Sequence, residues 1–184
     1  MAKLNTLTHA IPPDGNCFFH SLAWNLNVGS LRENDDLISR GRQVRDTLIR
    51  RDDWNAYLES LDPEIRVAAP KYVAAAHPRT FTCDFIISFL VWKYPISFYI
   101  YGVERQNWTA KHHDDNNDFE PAMCFVHFES HQHYQPVFIA DLQNDSPIHT
   151  IRAYRGLGIP LEETGPQPAV WCVQDIRKAF EINV

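Results

Sequence analysis

From position 17 onward, apolar residues recur at helical spacing: Phe18, Leu22 and Leu26 form one stripe, predicting a helix to about Asn27 with Gly29 as its stop. Residues 33–51 repeat the pattern through Leu37, Gly41, Val44 and Leu48, with acidic residues first and arginines last, as the helix dipole favours. Trp54, Tyr57, Leu58 and Leu61 predict a short third helix, closed by Asp62-Pro63. The alanine-rich segment to His77 reads as helical in part, interrupted near Pro70. In the next helix Thr82 is the expected cap, and Phe85, Phe89 and Trp92 run down one face of a mostly buried element that ends before Pro95.

Beyond Pro95 the pattern changes period. Ile96 to Val103 is rich in β-branched and aromatic residues and reads as a strand, and the polar run 111–118 then breaks the apolar pattern. The stretches AMCFVHFE (122–129) and YQPVFIAD (134–141) follow as two paired strands. Helices first and closely spaced strands afterwards predict an α+β fold with a central, mainly antiparallel sheet flanked by helices. Residues 1–141 are expected to form the main domain. Residues 142–184, Pro/Gly-rich in the middle and ending in a helix through Ile176, Ala179 and Phe180, are expected as an extension packed on it.

Composition adjusts this picture in three ways. A chain of 184 residues that is 45% hydrophobic and 12% aromatic can bury one substantial core. With 17 Lys+Arg against 23 Asp+Glu the net charge is −6, which argues against nucleic acid as a partner and suits a basic protein partner. The first residues lack the apolar run of a secretory signal, and no stretch approaches the roughly 18 apolar residues of a membrane span, so a cytoplasmic protein without a membrane partner is expected. The four cysteines, Cys17, Cys83, Cys124 and Cys172, are scattered with no CxxC pair, which suggests reduced thiols rather than a disulfide framework.

The stretch PPDGNCFFHSLA, residues 12–23, sets the turn-forming Asp14-Gly15-Asn16 directly before Cys17 and the first helix. A thiol at a helix start meets unpaired N–H groups and the positive end of the dipole, which favour the thiolate and hence a nucleophile. The alternative is a small buried apolar residue, the usual fate of a free cysteine. Far along the chain, in SHQHYQPV (130–137), His133 stands at the entrance to the last predicted strand, where an imidazole can face a helix start across a cleft. The competing reading is a surface histidine in a histidine-rich loop.

Asp-Gly-Asn-Cys followed by two aromatics, paired with a late His-Tyr at the head of a strand, resembles the ovarian tumour (OTU) family of cysteine proteases, which are deubiquitinases with viral and bacterial-effector members. The likeness runs from about Ile11 to Ile139 and includes residues 82–101, with Asp84 where the family commonly has an acidic residue. It implies an OTU-like, papain-type fold. It also implies Cys17 as nucleophile, His133 as general base and the backbone of the Asp14 to Cys17 loop as oxyanion hole. Gly15, Asn16 and Tyr134 would then contact substrate. Gly15 gives the turn its freedom, and the Asp14 side chain either shapes the loop or moves protons.

Where the family commonly places Asn or Asp two residues after the histidine, this chain has Gln135. Residues two apart on a strand share a face, so Gln135 either orients the His133 ring or simply meets solvent. Asn5 or Thr6 is the alternative orienting group. The implied partners are ubiquitin, ubiquitinated proteins and ubiquitin-like modifiers, whose basic tails call for acidic groups. Asp35, Asp36, Asp114, Asp115 and Asp118 are the candidates, and Tyr134 and Trp171 are candidate walls for a glycine channel.

No cofactor and no metal are expected. A zinc module from Cys124, His127, His131 and His133 is the rival on ligand chemistry, but Cys124 and His127 are three apart and should point to opposite faces of a strand. The other rival is a non-catalytic, ubiquitin-binding pseudoenzyme.

Overall fold

A computed structural model describes residues 6–8, 11–26, 34–77, 82–139, 156–157 and 170–182. The expected stop at Gly29, Asn5 and the Pro/Gly-rich stretch around 158–168 lie outside the described residues, as do the side chains of Thr6, Asp35 and Asp36.

The helices come first, as the periodicity predicts. They are α1 (Cys17–Leu26), α2 (Asn34–Leu48), α3 (Arg51–Ser60), α4 (Pro63–Ala68), α5 (Tyr72–Ala76) and α6 (Asp84–Lys93). The break between α4 and α5 falls at residues 69–71, around Pro70, where the ring removes a helical donor. The strands are β1 (Thr6–Thr8), β2 (Ser97–Gly102), β3 (Asn107–Lys111), β4 (Pro121–Phe128), β5 (His133–Ile139) and β6 (Trp171–Cys172). A closing helix, α7 (Val173–Phe180), follows directly.

The sheet runs β1-β5-β4-β2-β3, with β6 added on β4. Every pairing is antiparallel except β2 with β4, which run parallel from Ser97↔Ala122 to Gly102↔His127. The chain forms the β2–β3 hairpin on one edge of β2 and returns through residues 112–120 to lay β4 on the other edge. The fold is thus α+β, with a mainly antiparallel sheet flanked by helices.

Alternation along the strands divides the apolar residues between two faces. Phe98, Ile100, Met123, Phe125 and Tyr134 join the core beneath α1, α2, α3 and α6. Tyr99, Cys124, Val126 and Val137 join a second cluster closed by Trp171, Val173 and Ile176. Each fully buried aliphatic or aromatic side chain contributes about 1.5–3 kcal/mol, so both faces stabilise the sheet. Residues 170–182 complete the second cluster, and Arg177 ties α7 to the sheet through the Tyr99 hydroxyl at 3.0 Å and Asp118 at 2.8 Å.

Two expectations for α6 need correction. Its N-cap is Cys83, and the Thr82 hydroxyl is buried without a hydrogen-bond partner. Its buried residues are Ile86, Ile87, Phe89, Leu90 and Val91, while Trp92 is exposed because the helix packs by a broader face than the Phe85-Phe89-Trp92 line suggested.

Helix α1 is the central element, buried on nearly every side. A helix apolar all round belongs in a core, yet α1 carries His20, Ser21 and Asn25. These polar groups pin it in place. The Asn25 amide donates to the Cys124 carbonyl on β4 at 3.2 Å, and the Ser21 hydroxyl lies 2.7 Å from the Cys17 carbonyl and 3.2 Å from that of Tyr134 on β5. The start of α1 is thereby held against the start of β5.

Candidate active site

Cys17 is the first residue of α1, reached through the turn Asp14-Gly15-Asn16. Gly15 has φ 84°, a left-handed conformation that side chains disfavour, so glycine is required for the chain to enter the helix here. The Asp14 carboxylate accepts the Asn16 N–H at 2.9 Å and lies 2.9 and 3.1 Å from His20 Nε2, one turn into α1. Burial works to raise the Asp14 pKa, but the hydrogen bonds from His20 and Asn16 bring it net below the usual carboxylate value. His20, fully buried, is itself pushed down by desolvation, against the pull of Asp14. A neutral imidazole donating to a carboxylate results, and the Asp14 side chain shapes the loop.

The Asn16 side chain faces inward. It is fully buried, and its Oδ1 accepts a hydrogen bond from the Arg45 guanidinium on α2. Arg45 also donates to the Ala75 carbonyl on α5 and lies over the Phe19 ring at 5.2 Å. The cysteine loop is therefore anchored from both α1 and α2.

The thiol meets β5. Tyr134 N–H donates to Cys17 Sγ at 3.3 Å, and the Gln132 carbonyl lies 3.7 Å from the same sulfur. Backbone groups on either side of His133 thus bracket the thiol. Gln132 adopts φ 47° and ψ 44°, the left-handed cap of a 3-10 turn at Glu129–His131, and this reversal aims its carbonyl at the sulfur. Burial pushes the Cys17 thiol up, the N–H groups of Tyr134 and Phe18 draw it down, and the Asp14 carboxylate adds to the rise. The net result is a raised pKa, opposite to the depressed value expected from the helix start, because desolvation outweighs these N–H groups.

His133 opens β5, paired with Phe128. Its Nδ1 is buried with no hydrogen-bond partner, and its Nε2 lies 3.5 Å from the Gln135 side-chain amide. Desolvation lowers its pKa, and the nearby His131 and His127 lower it further. His131 sits in the exposed 3-10 turn that precedes β5.

Tyr134 is buried, edge-on to Phe18 at 5.4 Å and stacked on His127 at 4.2 Å. It also lines a cleft of about 430 Å³ with Asp84, His127, Glu129 and Gln132. Trp171 is core, paired opposite Ala122.

Of the acidic candidates, Asp114, Asp115 and Asp118 precede β4, at the opposite end of that strand from the His127–Tyr134 pair beside the thiol. Among the described residues no group of three or more His, Cys, Asp or Glu side chains is placed to hold a metal ion. Cys124 and His127 do lie on opposite faces of β4. No helix among the described residues is long and apolar enough to cross a membrane.

Sequence reasoning missed His20 and Arg45. A histidine inside an otherwise apolar helical run was a usable signal for the first; nothing local marks the second.

No protein-family model matches the sequence, and no curated protein matches it. Solved structures do. An ovarian tumour (OTU) domain in complex with ubiquitin superposes with a TM-score of 0.54 at 11% identity, over 83% of this chain and 82% of that one. The viral OTU domain protease from Taggert virus gives 0.52 at 14% identity, over 75% and 82%. The architecture of this chain is that of the OTU domain, at low sequence identity.

Proposed function

We propose that this chain is a cysteine-type deubiquitinase, hydrolysing the isopeptide or peptide bond after the C-terminal Gly-Gly of ubiquitin, with ubiquitin-like modifiers as further substrates. The observation that carries the reading is the bracketing of the Cys17 thiol by the backbone on both sides of His133. The OTU architecture and the ubiquitin bound to one such domain support the choice of substrate.

In the proposed reaction His133 Nδ1 takes the thiol proton as Sγ attacks the glycine carbonyl carbon. A Gln135 amide turned with its oxygen toward Nε2 accepts the Nε2–H and fixes the tautomer in which Nδ1 is the base. Asp14 N–H is bonded to the Pro12 carbonyl and Asn16 N–H to the Asp14 carboxylate, so Gly15 and Cys17 N–H are the loop donors assigned to the oxyanion. The tetrahedral adduct collapses, the amine leaves with the proton from imidazolium, and a thioester joins ubiquitin to Cys17. Water, deprotonated by His133, hydrolyses the thioester and frees the carboxylate and the thiol.

The cleft beside Gln132 and Tyr134 is assigned to the substrate chain, with exposed Asp84 facing its basic residues. The proposed setting is the cytosol, where free thiols stay reduced.

One observation favours a second reading, a ubiquitin-binding pseudoenzyme: Cys17 is only 1% exposed. Ubiquitin carrying a C-terminal electrophile separates the two. A covalent adduct, absent in Cys17→Ala, is the expected result; binding without an adduct would leave the pseudoenzyme, and neither binding nor adduct with any modifier would overturn both readings.

A further inference from the structure

Outside the cysteine loop and its histidine, a compact polar arrangement lies beside the cleft, where the turn after β2 meets the turn before β5. Glu104, in the β2–β3 turn, reaches across to residues 129–130. Its Oε2 accepts the Glu129 N–H at 2.7 Å, and its Oε1 accepts the Ser130 N–H at 3.1 Å and the Ser130 hydroxyl at 2.7 Å. These are the leading N–H groups of the 3-10 turn, which have no partner within it. Glu129 answers in the opposite direction. Its Oε2 accepts the Arg105 N–H at 3.1 Å and its Oε1 meets Arg105 Nε at 2.7 Å, while its carboxylate lies over Gly102, where an added Cβ would stand 3.2 Å from Oε1.

Each turn therefore supplies a glutamate that binds the other turn's backbone. We infer that Glu104 and Glu129 form a reciprocal clasp that sets His133 against the Cys17 thiol, with Glu104 as a positioning residue of the site. The inference rests on the deubiquitinase reading only for the identity of the substrate. Between the clasp and the site lies a short, ordered path. The clasped turn ends at Gln132, whose N–H bonds the Glu129 carbonyl at 3.3 Å and whose own carbonyl faces Sγ. His133 comes next, and then the Tyr134 N–H that meets the sulfur. A rotation of the turn would move all three together.

Exposed carboxylate bonds of this kind add little to global stability. Their effect is geometric, and misplacement of a base by a fraction of an ångström to an ångström is costly to rate. The Ser130 hydroxyl and the N–H groups of Glu129 and Ser130 hold the Glu104 carboxyl down at about 2.

The test compares the unaltered protein with Glu104→Ala and Glu104→Gln, using two probes: ubiquitin with a C-terminal vinyl electrophile, and iodoacetamide with Cys17 labelling read by peptide mass spectrometry. In Glu104→Ala the saturating rate of ubiquitin adduct formation is expected to fall about 10-fold, with the half-saturating concentration unchanged within about twofold. The midpoint of thermal unfolding should move by no more than about 3 °C. Glu104→Gln keeps an acceptor oxygen for Ser130 and should fall between. The pH profile of iodoacetamide labelling should shift in Glu104→Ala, a change that lost stability alone would not produce. Unchanged rates and profile would overturn the clasp, as would a loss confined to the half-saturating concentration. If the unaltered protein forms no ubiquitin adduct, the deubiquitinase reading fails, and the iodoacetamide profile alone decides the clasp. If Glu104→Ala does not fold, Glu104→Gln carries the comparison.

Discussion

Tyr134 donates its backbone N–H to Cys17 Sγ across 3.3 Å, so the sulfur is fixed to the chain immediately after His133. An N–H donor of this kind stabilises a thiolate as it forms, while the raised pKa of the buried thiol keeps the resting sulfur protonated. With His133 lowered by burial, the resting site is a neutral thiol beside a neutral imidazole.

A pH profile follows from those directions. As pH falls, activity should be lost only when His133 takes a proton, and its lowered pKa places that acid limb below the ordinary histidine value of about 6.5. As pH rises, the second limb should fall above the ordinary thiol value of about 8.5, since the Cys17 pKa is raised. Steady-state kcat/KM against pH measures both limbs. Iodoacetamide labelling of Cys17 that stays fast well below pH 5 would instead reveal a preformed thiolate–imidazolium pair and overturn this assignment.

His133→Ala should abolish nearly all turnover while leaving the protein folded, because a half-buried imidazole at a strand start contributes chemistry rather than core volume. Circular dichroism together with a fluorogenic ubiquitin substrate checks it. Retained turnover in a folded variant would show that His133 is not the base.

Gln135→Ala tests the contact at 3.5 Å between its amide and His133 Nε2. Loss of one neutral hydrogen bond in the transition state predicts about a 10-fold fall in kcat/KM, or about 1.4 kcal/mol. Gln135→Asn and Gln135→Asp should match or exceed the unaltered rate if the shorter side chain orients the ring better. An unchanged rate in Gln135→Ala, with a loss on removing the first ten residues, would transfer the orienting role to the N-terminal segment.

How legible each part was depended on how local its cause is. The stripes through Phe18, Leu22 and Leu26 and through Leu37, Gly41, Val44 and Leu48 predicted α1 and α2 because a helix buries one face at a period set by its own geometry. His133 at the head of β5 was legible for the same reason, since a polar loop gives way there to an apolar strand. β3 went unseen because an edge strand of exposed and half-buried residues, with Trp108 and Ala110 its only apolar members, presents no apolar run, and β6 because two residues carry no period. The parallel pairing of β2 with β4 depends on the path of residues 112–120, which periodicity does not encode. Arg45 and Glu104 were invisible for a related reason: each acts on backbone or side chains far away in sequence, and nothing beside them marks it.

Arg45→Ala should destabilise the protein by about 3 kcal/mol, because it leaves the buried Asn16 Oδ1 and the Ala75 carbonyl without their charged donor. Burial lowers the Arg45 pKa to about 10, so the guanidinium is still charged at neutral pH. Arg45→Lys should recover little, since an ammonium does not reproduce a planar fork that serves two acceptors at once. Urea unfolding measures the loss. An Arg45→Ala variant as stable as the unaltered protein would show that the loop is not held from α2.

Gly41→Ala addresses a close approach between α1 and α2. A methyl at this position would stand 2.0 Å from His20 Nδ1 and 2.9 Å from His20 Cα. The ring is held in place by its bond to Asp14 at the other nitrogen, and the Cα is backbone that no rotamer relieves. The helices must therefore separate, at a cost of about 2–3 kcal/mol or more, and His20 must shift relative to the carboxylate that shapes the cysteine loop. Stability and turnover should fall together. Making the change in a His20→Ala background removes the 2.0 Å clash but keeps the 2.9 Å one, so the methyl should cost less there yet still destabilise. Denaturant melts of the two single variants and the double variant give the coupling directly. An additive double variant would locate the strain away from His20, and a Gly41→Ala protein with unaltered stability would mean that α1 and α2 are not in contact at this point.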